Sequence, residues 1–353
     1  MLIEERKENH VEICLKEDVK AHYSYWDDIH FVHHALPEIN FSEIDTKTNI
    51  LGKKLSAPII ISAITGGYDK AKDINRNLAK AASKLNIGFG VGSQRAALEN
   101  KSLIGTYSVI KEYDIPLVIG NIGAPQLISQ HDTEAIDPEK IQEAFDMIDA
   151  DVLAIHLNYL QEVVQPEGNV NAKGCLAEIK RLALNYPIIA KETGSGISRK
   201  TAQALRKAGV IGIDVGGLGG TSFSAVEVYR AKNKGDRLRE SIGRTFWDWG
   251  IPTPVSVVEA DVGLDIIATG GIRNGIDVAR ALVMGANSAG MAGALLEAAT
   301  QSSEKVEEQI EGVIHELKVT MFLTGSSNLS ELRRQEVVVT GRTRDWMEQT
   351  TEG

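Results

Sequence analysis

Residues 156–162 read His-Leu-Asn-Tyr-Leu-Gln-Glu and follow the apolar run 152–155, Val-Leu-Ala-Ile. An imidazole (His156), two amides (Asn158, Gln161) and one carboxylate (Glu162) therefore crowd the end of what reads as a buried strand. Lys191 ends a second apolar run, PIIAKE, where a core residue would be expected. A lysine so placed can form a Schiff base, pair with a phosphate, or sit against the N1–C2 edge of a flavin and stabilise its anionic reduced form. Ser62, Thr65, Ser93 and Asn121 offer neutral hydrogen bonds of the kind a planar heteroaromatic ring needs along its polar edge. Glycines in TGGIR (269–273) and MAGA (291–294) each open a predicted helix, where backbone N–H groups face an anion and a phosphate can approach closely. With Thr221 nearby, these two turns are expected to grip one phosphate, with Arg273 as its charge partner; the plainer alternative is two tight turns.

The elements that would carry these groups recur along the chain. Eight short apolar runs, 57–62, 87–90, 115–120, 151–157, 187–192, 210–215, 264–270 and 286–291, alternate with segments of helical periodicity such as DINRNLAKAASKL. Runs apolar throughout predict strands covered on both faces, as in a parallel sheet. Eight such units predict an α/β fold, a TIM (β/α)8 barrel whose chemistry sits at the carboxyl ends of its strands. The candidate residues fall at those ends in order. Residues 1–50 are expected to form an N-terminal extension over one end, 51–300 the barrel, and 301–353 a C-terminal helical segment, all one domain. Residues 231–253 read as a long connection after strand six, a position where lids occur. A dinucleotide-binding fold would place GxGxxG after the first strand; that strand here leads into SAITGG.

With 43% hydrophobic and 24% charged residues, the chain can bury a large core. A net charge of −10 argues against nucleic acid as a partner. Cys14 and Cys175 are far apart and suggest neither a disulfide nor a zinc site. The opening MLIEERKENH has no apolar core of a signal peptide, and APIIISAI is too short to span a bilayer, so a cytoplasmic protein with no membrane partner is expected. His30, His33 and His34 read as structural. Arg6 and His10 share a helix face; spacing alone makes RKENH a solvated charge run.

Taken together, RKENH (6–10), SAITGG (62–67), GSQRAALE (92–99), NIGAPQL (121–127), HLNYLQE, KETGSGIS (191–198), GGLGGTSF (216–223) and TGGIRNG (269–275) resemble type II isopentenyl-diphosphate isomerase, an FMN-dependent family. The resemblance runs from residue 6 to about 332. HLN-x-x-QE and GSQRAA are its specific motifs, whereas GGIR and the glycine-rich loops recur in other FMN barrels. It implies FMN contacts at Ser62, Ala63, Ile64, Thr65, Ser93, Asn121, Lys191, Thr221, Gly271, Ile272, Arg273, Ala292 and Gly293. It implies substrate contacts at Arg6, Lys7, Ser93, Gln94, Arg95 and Gln161, with His10, Asn158 and His156 at the diphosphate. Glu162 would hold Mg2+, which needs few protein ligands when a diphosphate and water complete its shell. A homo-oligomer, tetramer or octamer, is also implied. Two positions depart from the pattern: Tyr159 stands where a proline is expected, and Gly216 where relatives can offer a serine.

The expected reaction moves a double bond by adding a proton at one carbon and removing another, using reduced FMN with no net electron transfer. Gln161 and Glu227 are the expected relay partners, with His156 beside them, and NADPH serves to reduce the flavin at the outset. A 2-hydroxy-acid oxidase on the same barrel is the alternative; it would need a histidine near the GGIR arginine. An inosinate-type dehydrogenase would need a cysteine in GGLGGTSF. A flavin-storage protein would leave the strand-four cluster without a use.

Overall fold

The computed structural model describes residues 3–351. Its centre is a closed barrel of parallel strands: β1 (Ile59–Ile61), β2 (Gly88–Gly90), β3 (Val118–Gly123), β4 (Val152–Leu157), β5 (Ile188–Glu192), β6 (Gly212–Asp214), β7 (Asp265–Thr269) and β8 (Ser288–Met291). Each pairs with its sequence neighbour, and β8 closes on β1 through Ala289 opposite Ile59. These are the eight apolar runs of the sequence. Residues alternate along each strand, so one face packs inside the barrel and the other against the helices. The interior layer is Ile60, Leu117, Ile119, Val152, Ala154, Ile189 and Ile267.

The N-terminal extension serves both ends of the barrel rather than one. Helix α1 (Ile3–Lys16) lies over the carboxyl end. The hairpin of Thr48–Ile50 with Lys53–Leu55 closes the amino end, where Ile50 and Leu55 join the interior layer. Between them, Ile29–Phe31 pairs antiparallel with Val337–Val339, tying the two ends of the chain together. Fifty residues are long enough to run the height of a barrel, and the apolar Ile50 and Leu55 need burial.

Further helices position the rim: α2 (Tyr159–Val164), α3 (Phe223–Lys234), α4 (Arg237–Thr245), α5 (Gly275–Val283), α6 (Gly293–Gln301) and α7 (Ser303–Leu323). The long connection after β6 is thus mostly helical. Ser222 caps α3 by accepting from Ala225 N, and Asp236 caps α4 through Arg239 N. The turn after α4 folds back on the segment behind α1, where Trp247 Nε1 donates to Lys20 O at 2.8 Å and Ser222 Oγ donates to Trp247 O at 2.6 Å. No helix among the described residues is long and apolar enough to cross a membrane.

Candidate active site

Directly above the interior layer lies a cleft lined by Ser62, Ala63, Asn121, Lys191 and Asp214 among others. Lys191 and Asp214 are register partners on β5 and β6, so their side chains enter the barrel together. Lys191 Nζ donates to Asp214 Oδ2 at 2.7 Å, and both residues are buried. Across the cleft, Ser62 Oγ and Thr269 Oγ1 stand 3.1 Å apart. Gly290 between them makes this possible, since a Cβ there would lie 2.0 Å from Thr269 Oγ1. On the third side, Asn121 Nδ2 donates to Val91 O, and Asn121 Oδ1 lies 2.7 Å from His156 Nδ1. The imidazole must therefore carry its proton on Nδ1. Burial, followed by the charges of Lys191, Lys7 and Arg6, pushes the His156 pKa down to about 3, so the ring is neutral.

The loops after β6, β7 and β8 converge as the glycine pattern suggested. A Cβ on Gly271 (φ +76°) would stand 2.6 Å from Gly219 O, one on Gly220 2.7 Å from Gly271 N, and one on Gly293 2.9 Å from Thr221 Oγ1. The three loops are thus packed backbone against backbone beside the N-terminus of α6, with Ala292 and Thr221 next to it. A helix N-terminus beside close-packed glycines is donor chemistry suited to an anionic group such as the phosphate of FMN. Beside it, the Arg273 side chain is engaged by two carboxylates. The guanidinium is held by Asp277 at 2.8 Å and Asp27 at 2.6 Å, and these hydrogen bonds hold it firmly protonated. Arg273 thus also clasps the loop after β7 to the N-terminal segment; sequence showed the arginine but not the distant acid Asp27.

At the rim, Lys7 donates to Gly66 O (2.8 Å), Ser93 O (2.6 Å) and Tyr107 Oη (2.7 Å). All three ammonium protons are thereby engaged, and Lys7 latches α1 to the loops after β1 and β2 rather than standing free for substrate. RKENH is accordingly no solvated charge run. Burial, with Arg6 and Arg95 acting in the same sense, draws the Lys7 pKa down to about 7. Arg6 and Arg95 bring two guanidinium groups near one another. Burial lowers the Arg6 pKa while the Glu162 carboxylate opposes the shift. Gln94 is turned away: its Nε2 donates to Ala144 O and its Oε1 accepts from Asn121 N, so it braces the floor instead of reaching the cleft.

The strand-four cluster forms one network around α2. Glu162 accepts from Asn158 Nδ2 (2.9 Å), Gln165 Nε2 (2.7 Å) and Asn169 N (2.7 Å). Asn158 Oδ1 and Gln165 Oε1 are buried without partners. A half-turn of either amide exchanges its NH2 for that oxygen and sets two or three oxygens together, the donor chemistry that Mg2+ takes. Gln161 Nε2 approaches Glu227 Oε1 at 3.4 Å, and His10 Nε2 lies 3.0 Å from the same oxygen. Burial raises the Glu227 carboxyl, but the hydrogen bond and charge of His10, with the charge of Arg230, outweigh it and leave Glu227 below the usual range. Burial lowers the His10 pKa against the pull of Glu227.

Both departures from the motif have local explanations. Tyr159, at the first position of α2, anchors by its hydroxyl to Cys175 Sγ at 2.7 Å in place of proline's fixed φ. Gly216 has φ +44°, and a Cβ there would stand 1.9 Å from Glu192 O, so a serine cannot occupy this backbone. Sequence reasoning missed Asp214, Thr269, Tyr107, Gln165 and Arg230. Asp214 carried a signal, being an acid inside the apolar run 210–215; Gln165 and Arg230 follow Glu162 and Glu227 at helical spacing of three. Tyr107 carried none.

The sequence pattern of the FMN-dependent dehydrogenase family matches residues 12–101 and 167–339. Relatives named isopentenyl-diphosphate delta-isomerase include that of Thermoplasma volcanium, 51% identical over 98% of this chain and 100% of that protein. Those of Picrophilus torridus (47%, over 98% and 99%) and Archaeoglobus fulgidus (46%, over 99% and 99%) are similar. Among solved structures, a mandelate oxidase with an FMN adduct aligns at TM-score 0.60, 16% identity and 90% of each chain. A flavocytochrome b2 aligns at 0.65 and 16%, over 94% of this chain and 83% of that one. At that identity the shared feature is the barrel.

Proposed function

The chain belongs to the isopentenyl-diphosphate delta-isomerases, on the barrel of the FMN-dependent dehydrogenases, and from that premise we propose how its rim carries the reaction. The substrate is isopentenyl diphosphate and the product dimethylallyl diphosphate, with no net oxidation. One observation carries the assignment of roles: His10, Gln161 and Glu227 meet at a single carboxylate oxygen, beside the Glu162 cluster and under α1.

Arg6 and Arg95 bind the diphosphate, whose two anionic groups match two converging guanidinium groups. Glu162, with the amide oxygens of Asn158 and Gln165, would hold Mg2+, whose charge would offset that of the diphosphate. Gly219, Gly220, Gly271 and Gly293 would hold the phosphate of FMN, and Lys191, Ser62, Ala63, Ile64, Thr65 and Asn121 would hold its ring. Reduced FMN supplies an electron-rich ring that can donate and recover a proton without passing electrons to the product. Glu227, kept anionic by its neighbours, accepts or returns a proton through Oε1, and Gln161 orients the hydrocarbon end beside it. His156, neutral and fixed by Asn121, presents Nε2 to the site without adding charge near the developing cation. The docked α1, latched by Lys7, excludes water that would trap that cation.

NADPH for the initial reduction, a cytoplasmic location and a homo-oligomeric state belong to the same proposal. The 2-hydroxy-acid oxidase alternative draws on the barrel shared with distant structures, and the arginine it would use is committed to Asp27 and Asp277. The test is turnover of isopentenyl diphosphate with reduced FMN and Mg2+. Gln161→Ala and Glu227→Gln are each expected to lower kcat by about 100-fold or more while FMN binding is retained. Wild-type kcat in Glu227→Gln would overturn the relay, and in Gln161→Ala the part given to Gln161.

A further inference from the structure

Glu227 turns its two carboxylate oxygens to different neighbours. Oε1 faces His10 and Gln161, and Oε2 is paired with Arg230 Nη1, one turn later on α3. The other arm of that guanidinium, Nη2, is paired with Glu167. Glu167 lies on the segment behind α2, where Asn169 N donates to Glu162 Oε2 at 2.7 Å. This segment is threaded closely, for a Cβ on Gly168 would stand 1.6 Å from Glu162 O. Arg230 is 3% exposed and Glu227 2%, while Glu167 reaches solvent.

We propose that Arg230 is a positioning residue, a buried bridge that holds the Glu227 carboxylate and the segment capping Glu162 as one unit. The proposal deepens the reading of Glu227 as proton relay and rests on it. A planar guanidinium can place one arm on each of two carboxylates, whereas an ammonium acts as a point charge. Fixing Oε2 leaves Oε1 as the oxygen presented to His10 and Gln161, so the relay atom has one orientation. The same bridge ties α3, which carries the relay, to the loop that orders the candidate metal carboxylate. The charged and titratable groups facing Glu227 are His10 from α1 and Arg230 on its own helix. Helix α4 meets α3 through Gly243, packed against Val228 and Ser224.

Two variants of the holoenzyme test this. In Arg230→Gln, loss of the cation lets Glu227 keep its proton to higher pH, so the acid limb of the kcat/KM profile moves up by roughly one pH unit or more. In Glu167→Gln, the amide proton of Asn169 is expected to exchange about ten times faster, with the amides of α3 unchanged. A wild-type acid limb in Arg230→Gln, or wild-type exchange at Asn169 in Glu167→Gln, overturns the bridge. If Arg230→Gln does not fold, the exchange measurement on Glu167→Gln decides alone. Full activity in Glu227→Gln would instead remove the relay reading, and faster exchange at Asn169 would still establish the bridge, so the two failures are distinct.

Discussion

Lys191 and Asp214 face each other at 2.7 Å inside the barrel with almost no access to water. Removing one partner of such a pair leaves an uncompensated charge, so Asp214→Ala is expected to lose about 3–5 kcal/mol of stability in denaturant unfolding. A loss below roughly 1 kcal/mol, the scale of an exposed pair, would contradict the picture. His156 supplies a pH test. Its folded pKa is pushed from 6.5 down to about 3, so the unfolded chain takes up a proton that the folded ring refuses. The ring therefore has no effect on stability well above pH 6.5 and destabilises progressively as pH falls from there towards 3. His156→Gln should flatten the decline of Tm between about pH 5 and pH 7; an unchanged slope would show that the ring is exposed. At this scale the sequence displayed residue types well: Asn158, Gln161 and Glu162 form one hydrogen-bonded cluster, while His156 pairs with Asn121 instead. It could not display partners that come from elsewhere. The three acceptors of Lys7 lie 59, 86 and 100 positions away, and local spacing carries no information about them.

Among the elements, the strands were readable because a strand buried on both faces must be apolar throughout, and eight such runs stand between helical periods. The N-terminal extension was harder. Its helix and hairpin serve opposite ends of the barrel, and composition alone gives no direction of travel. The connection after β6 looked like a loop because its polar residues outnumber its apolar ones; α4 buries Gly243 alone and needs little apolar surface. The glycine turns were legible as close-packed loops after β6, β7 and β8, and the proposed anion cradle there yields a sharp test. Gly271 sits at φ +76°, with Gly219 O 2.6 Å from where its Cβ would be. Gly271→Ala should therefore raise the FMN dissociation constant about tenfold or more, for strain of 1–3 kcal/mol, while far-UV circular dichroism stays unchanged. Unaltered FMN affinity would remove the cradle from the cofactor site.

For the whole molecule, the barrel gives the frame and the rim gives the chemistry, and the two are separable. Mandelate oxidase and flavocytochrome b2 share the frame at 16% identity. On that frame, this chain closes its N-terminal helix over a carboxylate–amide cluster and pairs the arginine after β7 with Asp27 and Asp277. That closure suits a reaction whose cationic centre must be kept from water and whose electrons return to where they began. The most direct measurement is anaerobic: protein with photoreduced FMN, Mg2+ and isopentenyl diphosphate, without NADPH, following product and the flavin spectrum together. Many molecules of dimethylallyl diphosphate per flavin, with the flavin still reduced, is the expected result. Flavin reoxidised in step with product, or equal turnover with no flavin present, would contradict it.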